Sequence, residues 1–293
     1  MSGATAFLKE LSYFVFGCTC ILLLGGGGAM AATPPAANVI SSHNLAGHKA
    51  VYEIKLSSSK MGSAVIGIHG RMTYIVKPSC EGWIVDHQFR LIYDYTNNPS
   101  SEVDTKFASF ENYNGQQFQF SSTRRSNGEI NSELRGDANL PSVEGTKNMG
   151  TARYSIPTNL TYHLSTGTLF PIMHTAYLVA AAEAGQKVFN AHVFDGSDED
   201  GPVEINAFIG PVHKAQKWDA PKNIDQNLTA VDEWPVRMAV FSDKEEQSEA
   251  EYELTMTLLK NGIIKDMAVE YHDFSITQKL VALEKITAEK CGE

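Results

Sequence analysis

The stretch YELTMTLLKNGIIKDMAVEYH, residues 252–272, decides the fold class. From Tyr252 to Leu258, apolar side chains alternate with polar ones. A period of two is typical of a strand that has one face on a core and the other in water. The Asn261-Gly262 pair that follows favours a tight turn, because both residue types tolerate positive φ. The stretch therefore predicts an antiparallel β-hairpin.

Two further Asn-Gly pairs, Asn114-Gly115 and Asn127-Gly128, extend this interpretation upstream. Each lies between runs that suit strands, and residues 83–95 form another run rich in aromatic and β-branched residues. The hairpin strands and the last strand are predicted over residues 107–113, 117–123, 130–136, 252–259, 263–272 and 274–286. Strands joined by tight turns are antiparallel neighbours, so the sequence predicts a mainly β fold with a large antiparallel sheet.

One segment departs from the strand pattern. Residues 171–184, PIMHTAYLVAAAEA, begin with proline, are rich in alanine and are followed by Gly185, which are helix start and stop signals. They predict one main α-helix, at about residues 171–184. Its packed face is expected to carry Met173, Tyr177, Ala180, Ala181 and Ala184. A second, shorter helix is expected around residues 160–165.

The N-terminus has the pattern of a secretory signal peptide. An apolar run from Leu11 to Leu24 and a glycine run precede Ala29-Met30-Ala31, whose small residues suit signal peptidase. We therefore expect a signal peptide over residues 1–31, with cleavage near Ala31. Residues 32–44 are rich in Ala, Pro, Ser and Asn and are expected to form a disordered leader.

Two other interpretations of the N-terminus are weaker. A membrane anchor needs about 20 apolar residues, which is longer than this run. Lipoprotein processing at Cys18 would follow the bulky Phe16 and would cut inside the apolar run. No later segment approaches the roughly 18 consecutive apolar residues of a spanning helix. The mature form is therefore expected to work in the periplasm without spanning the membrane.

The composition indicates a globular domain. The chain has 293 residues, of which 43% are hydrophobic and 20% charged, enough apolar material for a core. No repeat or long linker interrupts residues 45–293, so we expect them to form a single domain. The net charge of −10 argues against nucleic acid or an anionic membrane as a partner, because both require clustered Lys and Arg.

The cysteine pattern becomes informative once the signal peptide is removed. Cys18 and Cys20 leave with the signal, and only Cys80 and Cys291 remain. An even pair in an oxidising compartment favours one intramolecular disulfide. Two free thiols or an intermolecular bond are the alternatives. Neither cysteine has a CxxC-type partner, which argues against a metal site.

No catalytic or cofactor-binding motif is present in the sequence. The nine histidines are not at metal-ligand spacing, and structural roles are favoured for them. The acidic stretch at residues 195–201 departs from a calcium loop, which needs Gly at its sixth position and Glu at its twelfth; here these are Asp200 and Asn206. A solvated turn is favoured, and we predict no catalytic residue, cofactor or metal.

A group of aromatic residues offers a further hypothesis. These residues could line a cavity for lipid, although an ordinary core is the favoured interpretation. They are Trp83, Tyr93, Tyr95, Phe107 and Phe110.

Several short passages, taken in order, resemble a known family. They are residues 46–56, Gly70-Arg71-Met72, residues 80–83, Leu169-Phe170-Pro171 with His174, and residues 193–196. Together they are similar to the EipB-type cell-envelope integrity proteins of Gram-negative alphaproteobacteria, a domain family formerly of unknown function. The resemblance extends from about Leu45 to the C-terminus.

The resemblance implies a periplasmic protein whose large, curved, spiral-like antiparallel sheet holds a helix, similar to lipoprotein-carrier folds. It implies an internal disulfide, for which Cys80 and Cys291 occupy the matching places. It also implies a role in envelope integrity under stress, a periplasmic tetratricopeptide-repeat protein as partner, and no enzymatic activity.

Three functions are consistent with these observations. The first is a non-enzymatic periplasmic protein that maintains envelope integrity by binding a periplasmic protein partner. The second is a carrier of lipid or lipoprotein acyl chains in the concave face of the sheet. The third, a hydrolase with an unrecognised site, has no support from any motif.

Overall fold

The computed structural model describes residues 41–141, 149–218, 221–242, 249–288 and 290–291. The strands are β1 (His48–Ser59), β2 (Val65–Pro78), β3 (Gly82–Tyr95), β4 (Ser101–Asn112), β5 (Gln117–Ser126), β6 (Glu129–Asn139), β7 (Gly150–Ile156), β8 (Thr161–Leu164), β9 (Val188–Val193), β10 (Val203–Ile209), β11 (Glu233–Ser242), β12 (Tyr252–Leu259), β13 (Ile264–Glu270) and β14 (Phe274–Lys285). The α-helices are α1 (Pro171–Glu183) and α2 (Gln226–Thr229). None of the helices within these residues is long and apolar enough to cross a bilayer.

All the strands belong to one antiparallel sheet, which confirms the expected fold class. Its order is β8-β7-β6-β5-β4-β3-β2-β1-β14-β13-β12-β11-β10-β9. The first and last strands are therefore neighbours at the centre, where Ala50 pairs with Leu283 and Ile54 with Gln278. One meander runs outward from this pair as β1–β8, the N-terminal arm. The other is β9–β14, the C-terminal arm, and α1 lies in the connection between the two sheet edges.

The three hairpins predicted from Asn-Gly pairs are confirmed, with β4 paired to β5, β5 to β6 and β12 to β13. The turn geometry differs among them. At Asn127-Gly128 both residues have positive φ, 52° and 88°, as a two-residue hairpin turn requires. At the other two turns only the glycines, Gly115 and Gly262, have positive φ. Asn-Gly therefore indicates the location of each turn better than its type.

Helix α1 is confirmed at the predicted position, and Gly185 ends it with a φ of 75°. The expectation of a single packed face is wrong. Most of the helix circumference is buried, because α1 lies in the hollow between the two arms. Its buried residues are Ile172, Met173, His174, Ala176, Leu178, Val179, Ala181 and Ala182. Ala184, expected on the packed face, is exposed.

The predicted short helix around residues 160–165 is also wrong. Thr161–Leu164 form β8, the edge strand that pairs with β7 from Gly150 to Arg153. So short a segment gains little from its own helical hydrogen bonds, and here its pairing with the neighbouring strand β7 decides its conformation.

The start of the ordered domain also differs from the expectation. Ser42–Asn44, placed in the disordered leader, form a 3-10 helix. Ser42 is buried, and its hydroxyl accepts a hydrogen bond from the indole N–H of Trp83. The signal peptide predicted over residues 1–31 and the leader up to residue 40 lie outside the described residues.

A buried carboxylate anchors the start of α1. The backbone N–H groups of Ile172 and Met173 donate to Glu111 of β4, at 2.8 and 2.9 Å. The residue before the helix, Phe170, supplies no side-chain cap, so Glu111 satisfies two of the free N–H groups of the first turn. Burial raises the pKa of Glu111 to about 8, and the two donors oppose that rise.

The sheet curls until the two arms touch. Phe194, which follows β9, packs against Phe118 and Phe120 of β5. Just beyond it, the phenol of Tyr154 donates to the carbonyl oxygen of Asp198 at 2.6 Å, and that of Tyr162 donates to the carbonyl of Glu199. Residues 195–201, the acidic loop, therefore join the edge strand β9 to β7 and β8 at the other edge of the sheet.

The acidic loop is more enclosed than the solvated turn expected from sequence. A Cβ added at Gly196 would lie 2.4 Å from the ring of Phe120, so only glycine fits there. Burial raises the pKa of Asp195 to about 6 and, together with the charge of Asp195, that of Asp198 to about 8. Within the described residues, no group of three or more His, Cys, Asp or Glu side chains could hold a metal ion.

These carboxyl groups predict how stability depends on pH. The pKa of Asp198 is higher in the folded chain than its ordinary value of 3.8, so the unfolded chain loses this proton first and stability falls as pH rises from about 4 to about 8. Asp198→Asn removes this charge and keeps the oxygen that accepts the Asp200 N–H. We expect the variant to melt at a higher temperature than the wild type at about pH 8, with a smaller gap at about pH 4. Asp137→Asn, at an exposed site, is the control; an equal gap at both pH values would contradict the prediction.

Candidate functional site

The two cysteines predicted to pair lie close to the centre of the sheet. Their sulfur atoms are bonded at 2.10 Å, and 211 residues separate them in sequence. Cys80 lies in the turn between β2 and β3, and Cys291 follows β14. The bond does not join the two ends of the sheet, which are β8 and β9. The bond instead ties the C-terminal segment across β1 to its neighbour β2.

Two histidines lie in enclosed positions, His174 on α1 and His87 on β3. His174 of α1 is 8% exposed, and its Nε2 has no hydrogen-bond partner among the described residues. Burial lowers the pKa of both His174 and His87 to about 4, so both are neutral at physiological pH. Nε2 of His87 faces the sulfur of Met72 at 2.7 Å. None of these contacts supplies the oriented base that general acid–base catalysis requires.

The five aromatic residues considered for a lipid cavity are not brought together. Trp83 belongs to a small cluster beside the start of α1, and Phe107 packs on a different aromatic cluster. Phe110 alternates with the buried Glu111 and therefore faces outward. Tyr93 and Tyr95 do lie together, with their rings stacked at 6.5 Å on the inner face of the sheet.

A groove lies on the outer face of the C-terminal arm. It is bounded by the strap, which we define as residues 211–218 and 221–225 after β10. The strap crosses the ends of four strands: His213 bridges to Glu233 at the start of β11, and Ile224 bridges to Leu283 near the end of β14. The groove that it forms against strands β11–β14, the strap groove, has a volume of about 850 Å³.

Trp218 forms the aromatic wall of the strap groove, and Lys265 holds it in place. The ammonium group of Lys265 lies 5.0 Å from the centre of its ring, a cation–π distance. Lys265 also pairs with Glu233 at 3.0 Å, and both charged side chains are only 19% exposed. The aromatic wall is therefore held by a half-buried ion pair, which favours a preformed groove over one that must rearrange.

The strap groove combines an apolar surface with a polar rim. Its floor consists of small side chains that share the outer face, Thr255, Thr257, Ala268 and Thr277. At its edge Phe208 is 54% exposed, although large aromatic side chains are usually buried. Arg237, paired with Glu253, and the exposed Lys279 supply the charge. This pattern is typical of protein-binding sites, in which aromatic contacts are surrounded by charged groups.

Sequence reasoning missed both the groove and the anchor at Glu111. Phe208 interrupts the alternation of β10 as an apolar residue at an outward position, between Ala207 and Ile209, which are buried. That irregularity is the one local signal of the groove. Nothing in the sequence near Glu111 indicates that a helix 60 residues later will need it.

The disulfide generates a stability prediction. Because the bond closes a loop of 211 residues, the chain-entropy model gives it up to about 5 kcal/mol of unfolding free energy. We expect Cys80→Ser or Cys291→Ser to lower the melting temperature and to increase cleavage by protease. Reductant should lower the melting temperature of the wild type and leave the variants unchanged. A wild type unaffected by reductant would show that the bond contributes no stability.

The comparisons with known proteins agree with this architecture. A sequence profile described as EipB-like matches residues 40–287. The cell envelope integrity protein EipB of Brucella abortus (strain 2308) is 33% identical over 251 residues, which cover 85% of this chain and 87% of that protein.

A solved structure shares the fold. The crystal structure of a β-barrel-like protein of a domain of unknown function, DUF1849, also from Brucella abortus, superimposes with a TM-score of 0.75 at 32% identity. The match covers 83% of this chain and 99% of that one. The profile match, the sequence identity and the shared fold extend over most of the chain, which therefore belongs to the EipB-like family.

Proposed function

We propose that this protein maintains the integrity of the cell envelope from the periplasm, and that it does so without catalysis, by binding a periplasmic protein partner. The name of the Brucella relative supports the envelope role. The secretory pattern of residues 1–31 supports the compartment. The absence of a catalytic motif from the sequence is consistent with a binding function.

The observation that carries this proposal is the strap groove. Its aromatic wall at Trp218 is fixed by Lys265, and the exposed Phe208 extends it toward solvent. Such a surface gains affinity when a partner covers the aromatic rings and leaves the charged rim in water. The partner implied by the family resemblance is a periplasmic tetratricopeptide-repeat protein, whose stacked helices present an extended surface.

Phe208→Glu tests the groove without disturbing the core, because Phe208 points outward from β10. In a deletion strain of the native host, the wild-type gene should restore resistance to detergent and to cell-wall antibiotics, and the variant should not. Crosslinking in cells followed by purification should capture a tetratricopeptide-repeat protein with the wild type and at least about tenfold less of it with the variant, as expected when a central contact residue is lost.

The matched control is Ile66→Glu, which places the same charge at a 59% exposed apolar residue on the N-terminal arm. This variant should behave like the wild type in both assays. Equal loss of function in both variants would contradict a role for the groove. A deletion strain with unchanged sensitivity would contradict the envelope role itself.

A second candidate function is carriage of lipid or lipoprotein acyl chains on the concave face, as in lipoprotein-carrier folds. The observation that favours it is the row of tyrosines on the inner face of both arms. Tyr93 and Tyr95 stack on β3, and Tyr252 lies 5.9 Å from Tyr271 in the other arm. Tyr93 and Tyr252 are buried, so an acyl chain would reach these rings only by entering the core, where each ring offers an apolar body with a polar tip.

Native mass spectrometry tests this second function directly. Protein purified from the envelope fraction without detergent should carry co-purifying lipid, seen as a discrete mass above that of the chain, because acyl chains gain about 0.8 kcal/mol per buried methylene. Protein treated with organic solvent and refolded should lose the added mass and serve as the control. Preparations that are consistently free of lipid would count against carriage.

A further inference from the structure

Arg124 is a buried cation on the inner face of the N-terminal arm. It lies on β5, where its side chain alternates with outward-facing neighbours and follows the buried Phe118, Phe120 and Ser122. Only 8% of it is exposed. The guanidinium group stays protonated in proteins, so its burial is costly unless an anion accompanies it.

No such anion is supplied by the described part of the chain. Arg90 and Arg237, both on the exposed face, pair with Glu102 and Glu253. Arg124 forms no ion pair with any described carboxylate, and the groups that act on its pKa are the phenols of Tyr93 and Tyr95. Burial is the larger effect and lowers that pKa. The site is therefore a buried positive charge without a counter-ion among the described carboxylates.

The surroundings of Arg124 suit an acidic group. Thr105 is directly opposite it on β4, and Ser132 is opposite it on β6. Ser122 precedes it on the same face, and Thr105 and Ser122 are both buried. A forked guanidinium among hydroxyl groups is a common arrangement for binding carboxylate or phosphate oxygens, because each hydroxyl can donate one hydrogen bond.

Apolar side chains border this polar patch. Val103, next to Thr105 on β4, and Leu91 on β3 are buried on the same inner face, and they continue into the largest hydrophobic cluster of the protein. A ligand whose head group reaches Arg124 would therefore have to insert any attached chain between apolar side chains, because Leu91 and Val103 are 1% and 3% exposed. The patch has the two-part character of a site for an amphiphile.

We propose that Arg124 binds the acidic head group, phosphate or carboxylate, of an amphiphile whose acyl chain lies along the inner face of the sheet. The proposal rests on the second proposed function, carriage of acyl chains, and adds to it a selection for anionic ligands. Arg124 is the residue that binds the head group, and the tyrosine pair Tyr93 and Tyr95 borders it.

Isothermal titration calorimetry of the purified protein tests the proposal with three probes, used below their micelle concentrations. Monolaurin supplies the glycerol and the acyl chain without charge. Lauroyl lysophosphatidic acid adds a phosphate to the same glycerol and chain. Inorganic phosphate supplies the anion alone. We expect the wild type to bind the lysophosphatidic acid about 10- to 100-fold more tightly than monolaurin, the range for charged hydrogen bonds.

Arg124→Gln should remove this preference and leave the affinity for monolaurin unchanged. Arg125→Gln is the matched control. Arg125 lies opposite Asp104 and points to the other face of the sheet, so this variant should keep the preference. Arg124→Lys keeps the charge without the fork, so it should retain part of the preference. Because Arg124→Gln removes an isolated buried charge, its melting temperature should equal or exceed that of the wild type.

The outcomes separate this inference from the function on which it rests. Equal binding of the two lipids by the wild type, or a preference that survives in Arg124→Gln, overturns the role of Arg124 and leaves carriage intact. Failure of both lipids to bind overturns carriage as well. Inorganic phosphate that binds as tightly as the lysophosphatidic acid supports the anion site but overturns the role of the acyl chain. If Arg124→Gln does not fold, the preference of the wild type and its reduction in Arg124→Lys decide the question.

Discussion

The pairing of β1 with β14 is the constraint on which the rest of the structure depends. Each later strand of the N-terminal arm adds to the outside of β2, and each earlier strand of the C-terminal arm adds to the outside of β13. The two arms therefore share one central seam, and the disulfide from Cys80 to Cys291 lies beside it. Because both arms extend from this seam and curl toward each other, the seam also determines where α1, the acidic loop and the two candidate binding surfaces lie.

The two faces of the sheet serve different purposes. The inner face packs α1 and most of the core, and it leaves Arg124 as a charge without a described counter-ion. On the outer face, the strap crosses the ends of strands β11–β14 and forms the groove beside Trp218. Because the faces alternate residue by residue along each strand, substitutions at adjacent positions address separate surfaces. Phe208, for example, points outward at the edge of the groove, whereas the side chain of Ile209 is buried in the core.

Local features of the fold were predictable from sequence, and features that join distant segments were not, apart from the disulfide between Cys80 and Cys291. Asn127-Gly128 and the Pro171-to-Gly185 pattern place a hairpin and a helix because their signals act over a few residues. The β8 segment was mistaken for a helix, since its conformation is set by β7. The Glu111 anchor joins residues 61 positions apart. The unpaired state of Arg124 depends on which carboxylates the curled sheet brings near it, and no local pattern encodes that.

The position of β14 also affects how the chain reaches its final form. A chain delivered with its N-terminus first can assemble the N-terminal arm early, yet one edge of β1 stays open until residues 274–285 arrive. Pairings between residues so far apart in sequence form slowly, and an open strand edge can accept a strand from another molecule. β14 is thus the element best placed for domain swapping, in which the last strand of one copy fills the seam of another. A high local concentration of chains that have not yet paired β14 with β1 favours that exchange.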